Sequence, residues 1–497
     1  MSNNSREQFG SRIGYILVSA GCAIGIGNVW KFPYICGQYG GAIFMLIYLV
    51  FLVILGIPVM TAEFAIGRAS RKSAALAFET LEPQGTKWHW YRWISIFGCY
   101  LLMMYYTTVA GWMMNYGFKH IAGSFVGQTP EEVTGGFGAM LGDPLQMVLW
   151  TVAVCLVGFA ICFFGIQKGV ERVTKYLMSA LLLLMVILAV HSVFLEGAGA
   201  GIRYYLVPSL QTIEDKGIGE VIFNAMSHAF FTLSIGVGAM LIFGSYIGKD
   251  RSLLGESMVI TGLDTFVALT AGFIIIPACF AYGVEVGAGP SLIFITIPNL
   301  FTQMPGGRWW GAVFFIFLTF AALSTVVAVF ENIIAFFMDR FDWDRRKSTL
   351  ISGGLITVLS LPCVFGYNIW SGIQLLGEGS TVLDFEDFIV SNNLLPLGSL
   401  AFILFCTAKN GWGFENFIAE VNAGKGWKLP ANAFTKFYLT WLLPLIIIAV
   451  YLKGYWDMFK PATGFDTRFF AWMAFALLFL CFIIAVSLFG GKKKAEK

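Results

Sequence analysis

Charge is what this 497-residue chain has least of. Asp, Glu, Lys and Arg make up 12% of it, about half the share in a typical soluble domain, so polar surface is too scarce to keep such a chain dissolved in water. Together with 58% of AVILMFWYC and a strongly positive mean hydropathy, this excludes a cytosolic fold and indicates an integral membrane protein. A net charge of +3 without a basic patch excludes a nucleic-acid partner. Four histidines leave little room for a His/Cys metal cluster, and no Gly-rich phosphate loop followed by Lys is present. The nine cysteines, from Cys22 to Cys481, lie in or beside apolar stretches, where buried free thiols are expected instead of a disulfide framework. The first residues lack the short apolar core and cleavage site of a secretory signal, so the first span is expected in the mature chain.

What the chain has in abundance is apolar runs. A bilayer core about 30 Å thick needs roughly 20 apolar residues in helical form. Twelve such spans are expected, at 12–38, 42–70, 93–120, 144–164, 175–195, 219–247, 257–283, 309–337, 349–367, 385–408, 437–453 and 469–490. When the connections alternate between two sides, 24 of the 32 Lys and Arg residues fall on the side of the N-terminus, and an odd number of spans breaks that asymmetry. By the positive-inside rule both termini are expected in the cytoplasm of a cell (plasma or inner) membrane, with lipid as the surrounding partner.

Two of these spans carry small-residue interruptions. The first contains Ala23-Ile24-Gly25-Ile26-Gly27-Asn28 and the sixth Ser234-Ile235-Gly236-Val237-Gly238-Ala239, one pattern in register at an offset of 211 residues. Glycine disfavours continuous helix, and backbone freed at bilayer depth is tolerated where protein or a water-filled cavity satisfies it. Five crossings separate the two spans, so they run in opposite directions and the repeat is inverted. Paired interruptions of this kind point to a solute site at mid-membrane, whereas one glycine pair alone more often serves helix packing.

The stretch Ser11-Arg12-Ile13-Gly14, followed by Gly21-Cys22 and the motif Ala23 to Asn28 running on through Val29-Trp30-Lys31-Phe32-Pro33-Tyr34, closely resembles the first helix of the sodium-coupled neurotransmitter and amino-acid symporters, the LeuT-like family. Further matches are 63–68 (EFAIGR), 169–172 (GVER), 230–238 (FFTLSIGVG) and 321–325 (AALST). The likeness spans the first ten helices, and the absence of a long second outer loop resembles a prokaryotic branch. It implies an all-α membrane domain over 1–497: a 5+5 inverted repeat of about 12–195 and 219–408 with broken helices 1 and 6, then two further helices at about 437–490.

The resemblance also implies a site, residue by residue. One sodium would meet Ala23, Asn28, Thr232 and Asp264, with the substrate carboxylate completing its shell. A second would meet Gly21, Ile24, Ala321, Ser324 and Thr325. Sodium is a hard cation that prefers such oxygen ligands, although neighbouring hydroxyls in a membrane helix also commonly bond back to the preceding turn. Asp264 is harder to explain without function, because a carboxylate in mid-span costs about 2.5–3.5 kcal/mol on insertion scales. Relatives that need chloride lack an acid there, and neither Val267 nor Ala268 offers a hydroxyl, so no chloride is expected. The amides of Gly25, Ile26 and Gly27 and the hydroxyl of Tyr106 suit a carboxylate. Carbonyls near Ala23, Phe231 and Thr232 would take the amine. Leu102, Phe231, Ser234, Val237, Thr325 and Val329 would form the side-chain pocket. Val237 and Val329 are smaller than the Phe and Ile of the leucine-type pattern, which favours a large hydrophobic or aromatic amino acid.

Lys31 and Asp387 match the outer gate, and Arg6 and Asp339 the cytoplasmic one. His228 is expected as a polar lining near the outer gate. Glu63 and Glu331 are expected to satisfy backbone breaks or helix contacts. The expected function is chloride-independent, sodium-coupled amino-acid symport by alternating access, with no covalent chemistry. The rival is an amino-acid-gated channel or a non-transporting sensor on the same fold. Monomer and homodimer both remain open.

Overall fold

A computed structural model describes residues 7–208, 210–284, 289–460 and 467–488. It is almost wholly helical. Ten of the described helices are long and apolar enough to cross a bilayer. They are interleaved with two helices broken where the glycine motifs fall. In chain order these are α1 (Arg12–Ala23) and α2 (Gly27–Gln38), α3 (Ala42–Ser70), α4 (Trp88–Ala122), α5 (Pro144–Phe163), α6 (Ile166–Val193), α7 (Ile218–Thr232) and α8 (Ala239–Ser245). There follow α9 (Leu253–Ala281), α10 (Gly307–Phe341), α11 (Arg345–Phe365), α12 (Val382–Thr407), α13 (Ala433–Phe459) and α14 (Thr467–Leu488).

The first break bends the chain by 68° between α1 and α2. α4 and α10, of 35 residues each, pack along one another at the centre. α14 lies at the edge against α13 and α12. Its outer position corrects one expectation about the cysteines: eight of them are buried, but Cys481 on α14 is exposed.

α6 begins nine residues before the expected span. Glu171, on the added turns, is held inside the protein: its carboxylate accepts from the Gly10 N–H at 2.6 Å and from the Ser11 hydroxyl at 2.7 Å. A charge that reads as a boundary in sequence is here a fastening for the N-terminal segment. Arg12 adds a second fastening, with Nε 3.0 and 3.2 Å from the two carboxylate oxygens of Glu256 on α9. These contacts tie the N-terminal segment to α6 and α9 on one face of the protein. On the same face Arg68, the buried end of EFAIGR, donates to the Glu420 carboxylate at 2.7 Å and ties α3 to the short helix Phe414–Val421.

Candidate functional site

At the first break Ile24 leaves helical geometry at φ −67°, ψ 92°, and its N–H closes the last turn of α1 on the Ala20 carbonyl. Carbonyls near the end of α1 then lack the N–H partners that a continuing helix supplies. Side chains from α10 meet them. The Ser324 hydroxyl lies 3.0 Å from the Gly21 oxygen and 2.8 Å from that of Ala321. The Thr325 hydroxyl lies 3.1 Å from Gly21, 3.3 Å from Ile24 and 3.5 Å from Ala321 oxygens. All five residues expected for the second sodium thus converge on one buried cluster of oxygens.

A second cluster forms on the other side of the break. The Asn28 side-chain amide donates to the Thr232 hydroxyl at 3.0 Å and to Asp264 Oδ1 at 2.8 Å, and Thr232 donates to Asp264 Oδ2 at 3.0 Å. These three side chains come from α2, α7 and α9 and are all buried. Asp264 accordingly has partners at the depth where a lone carboxylate is costly. Ala23 lines the adjoining cavity.

That cavity, of about 310 Å³, is lined by Ala23, Gly25, Ile26, Gly27, Leu102, Tyr106, Phe231, Thr232, Ser234 and Thr325, among others. Its polar end is the break itself, where the Ile26 N–H donates to the Tyr106 hydroxyl at 3.2 Å and the Gly25 N–H to Asn28 Oδ1 at 3.1 Å. Two of the amides expected to be free are thus held by side chains. A methyl on Gly25 would stand 2.9 Å from the Tyr106 oxygen, so only glycine leaves this corner open.

Two expected pocket residues do not line the cavity. Val237 and Val329 are buried outside its lining, and Val237 lies against α4, where a methyl on Gly98 would be 3.5 Å from its Cγ1. The apolar wall comes instead from Val109 on α4 and from Leu383, Val390 and Leu395 on α12. α12 carries no motif near these positions, so nothing in the sequence marks them. Tyr105, beside the expected Tyr106, also lines the cavity.

The residues expected for the outer gate, Lys31 and Asp387, both line the cavity but form no ion pair with each other. Lys31 Nζ lies 3.9 Å from the centre of the Phe231 ring, while Asp387 Oδ1 accepts from Tyr105 at 2.9 Å and from Ser391 at 2.8 Å. Lysine's single ammonium takes the aromatic face in place of a fork-like carboxylate contact. Arg6 lies outside the described residues; its expected partner Asp339 accepts from the Ser73 N–H at 2.6 Å. His228 is buried among Phe32, Phe44, Tyr48 and Phe231, facing a neighbouring cavity that it shares with Lys31.

The second break, at 233–238, is braced by other helices. Glu63 Oε1 accepts from the Gly236 N–H at 2.5 Å, the Tyr91 hydroxyl donates to the Gly236 oxygen at 3.0 Å, and Ser95 donates to the Val237 oxygen at 2.8 Å. Glu331 pairs with Arg345 at 2.8 Å and accepts from Tyr246 at 2.8 Å. Both glutamates therefore hold the frame and stand outside the cavity lining.

A multi-pass helical membrane protein with a solute-sized cavity at two broken helices, flanked by buried oxygen clusters, is a solute carrier of the LeuT-like fold. The chain belongs to the sodium:neurotransmitter symporter family, whose model matches residues 6–130 and 141–490. Among its relatives, an uncharacterised sodium-dependent transporter of Bacillus subtilis (strain 168) is 33% identical over 459 residues, covering 91% of this chain and 98% of the relative. The sodium- and chloride-dependent GABA transporter 2 of Bos taurus is 26% identical over 505 residues, 90% of this chain and 79% of that one. The crystal structure of MhsT in complex with L-phenylalanine superposes with a TM-score of 0.80 at 35% identity, covering 90% of this chain and all of that one. The protein is a sodium-dependent transporter of this family and not an enzyme.

Proposed function

We propose that the protein is a sodium-driven symporter of a large hydrophobic or aromatic amino acid. One observation carries this reading: a single helix break sets Gly25, Ile26 and Gly27, with the Tyr106 hydroxyl, in the lining of a cavity flanked by two oxygen clusters. An amino acid has a carboxylate for the break, an ammonium for the carbonyls near Ala23 and Phe231, and a side chain for the apolar wall. The cavity is at the lower end of the roughly 300–1,000 Å³ of small-molecule pockets, which suits one amino acid and little more. MhsT, bound to L-phenylalanine, supports an aromatic substrate.

Sodium is cargo here. One ion would sit at Asn28, Thr232 and Asp264 with the Ala23 carbonyl and the substrate carboxylate; the other at Gly21, Ile24, Ala321, Ser324 and Thr325. Asp264 supplies a fixed negative charge beside the first ion, and chloride is therefore not required. The chain crosses the membrane twelve times with both termini in the cytoplasm. The fastened N-terminal segment closes the cytoplasmic side, and Tyr34, Lys31 and Asp387 ring the outer mouth. Transport rocks helices 1, 2, 6 and 7 of the two repeats against the rest, releasing those fastenings while Lys31, Phe231 and Asp387 close over the substrate.

The test is uptake of a panel of labelled amino acids by proteoliposomes. Accumulation of phenylalanine-like substrates under an inward sodium gradient is expected, unchanged when gluconate replaces chloride. Binding without accumulation, or currents far above carrier turnover, would sink the symport reading.

A further inference from the structure

A second cavity of about 310 Å³ lies far from the helix breaks, where the end of α4 meets the start of α10. His120 forms part of its lining. His120 is 1% exposed and its ring is packed between Phe125 and Phe315, at 4.5 and 5.2 Å, and among the described residues neither ring nitrogen has a hydrogen-bond partner. A buried polar group without a partner is destabilising, which points to a ligand that supplies one.

Arg308 provides the charge. Its Nε and Nη2 donate to the Ile121 carbonyl at 3.2 and 2.5 Å, leaving Nη1 without a partner among the described residues, and the guanidinium lies 5.0 Å from the Trp309 ring centre. Among the described residues, no carboxylate lines the cavity. The positive end of the 35-residue α10 opens at Gly307 beside it. Gly123, Gly127 and Gly306 form bare walls at φ 79°, 79° and 71°. A methyl on Gly123 would lie 3.2 Å from the Arg308 Cζ, so glycine leaves the guanidinium its place.

The rim is apolar and open: Val126 is 69% and Trp309 62% exposed. Anchored guanidinium, helix start, buried imidazole and greasy rim together match an amphiphile with an anionic, hydroxyl-bearing head. We propose that this cavity binds the headgroup of an anionic phospholipid. The phosphate would rest on Arg308 and the start of α10, a headgroup hydroxyl would reach His120, and the acyl chains would run past Val126 and Trp309. Arg recognises phosphate oxygens with directed donors, and Trp favours the membrane interface. A choline head brings a second cation beside Arg308 and no hydroxyl for His120.

Native mass spectrometry of the full chain titrated with phosphatidylglycerol, phosphatidic acid or phosphatidylcholine tests this. One phosphatidylglycerol is expected to be retained in preference to phosphatidylcholine. Arg308→Gln should weaken its retention about tenfold, and Arg308→Lys by less. Phosphatidylglycerol, whose head carries glycerol hydroxyls for His120, is also expected to be retained over phosphatidic acid, and His120→Phe, which keeps the packed ring, should erase that preference. Unchanged retention in Arg308→Gln and Arg308→Lys would overturn the proposal. So would displacement of the lipid by equimolar inorganic phosphate, which would mark a site for the free ion.

Discussion

The two helix breaks carry one sequence pattern and do different things. At the first, the departure from helix is short, and Gly25 serves close approach: Tyr106 stands where its side chain would be. At the second, glycine serves backbone conformation, with Gly236 at φ 103° and Gly238 at 81°, and even Ser234 is held at 50°. The partners differ as well. Hydroxyls from α10 and the Asn28–Asp264 pair meet the first break and leave a cavity, whereas Glu63, Tyr91 and Ser95 fasten the second to α3 and α4. The first break is thus the reactive half of the motif and the second its anchored support.

Substitutions that separate these roles break or sharpen the contrast. The largest effect is expected for Gly236→Ala, where a side chain would run into the Leu395 carbonyl at a φ that costs a non-glycine residue about 1–3 kcal/mol. Folded, monodisperse protein should be lost, while Gly25→Ala should remain folded and lose amino-acid binding; equal folding of both would erase the distinction. Next come Asn28→Ala and Asp264→Ala. Each removes one side of a buried charged hydrogen bond worth about 1.5–3 kcal/mol, so sodium-dependent binding should weaken at least about tenfold with the fold intact. Glu63→Leu leaves the Gly236 N–H unpaired and should lower thermal stability by about 1–3 kcal/mol, while Glu63→Gln, which keeps an acceptor oxygen, should lower it less. The smallest effect is expected for Val237→Ala: the side chain lies outside the cavity, so stability should fall without a change in which amino acids compete for binding.

Much of this was legible in the sequence because membrane insertion leaves few choices. Apolar runs had to be helices, and glycine motifs at bilayer depth had to be breaks with partners. The residues of both oxygen clusters were found by resemblance and meet in space. What stayed hidden depends on three-dimensional packing. Val237, within the second break, and Val329, on α10, are buried but stand outside the cavity lining. Leu383, Val390 and Leu395 line the cavity through the placement of α12 against α4, which supplies Val109, and no local pattern encodes that packing. Lys31 sits over the Phe231 face, while the Asp387 carboxylate is engaged by Tyr105 and Ser391, partners that no motif in the sequence marks.

The paired oxygen clusters at the first break are tested most directly by the sodium dependence of labelled amino-acid binding to the purified protein and to Ser324→Ala/Thr325→Ala. A steep dependence is expected, with a Hill coefficient approaching 2 for two ions, flattening toward a single-ion curve when the α10 hydroxyls are removed. A single-ion curve in the parent protein, left unchanged by the double substitution, would contradict it.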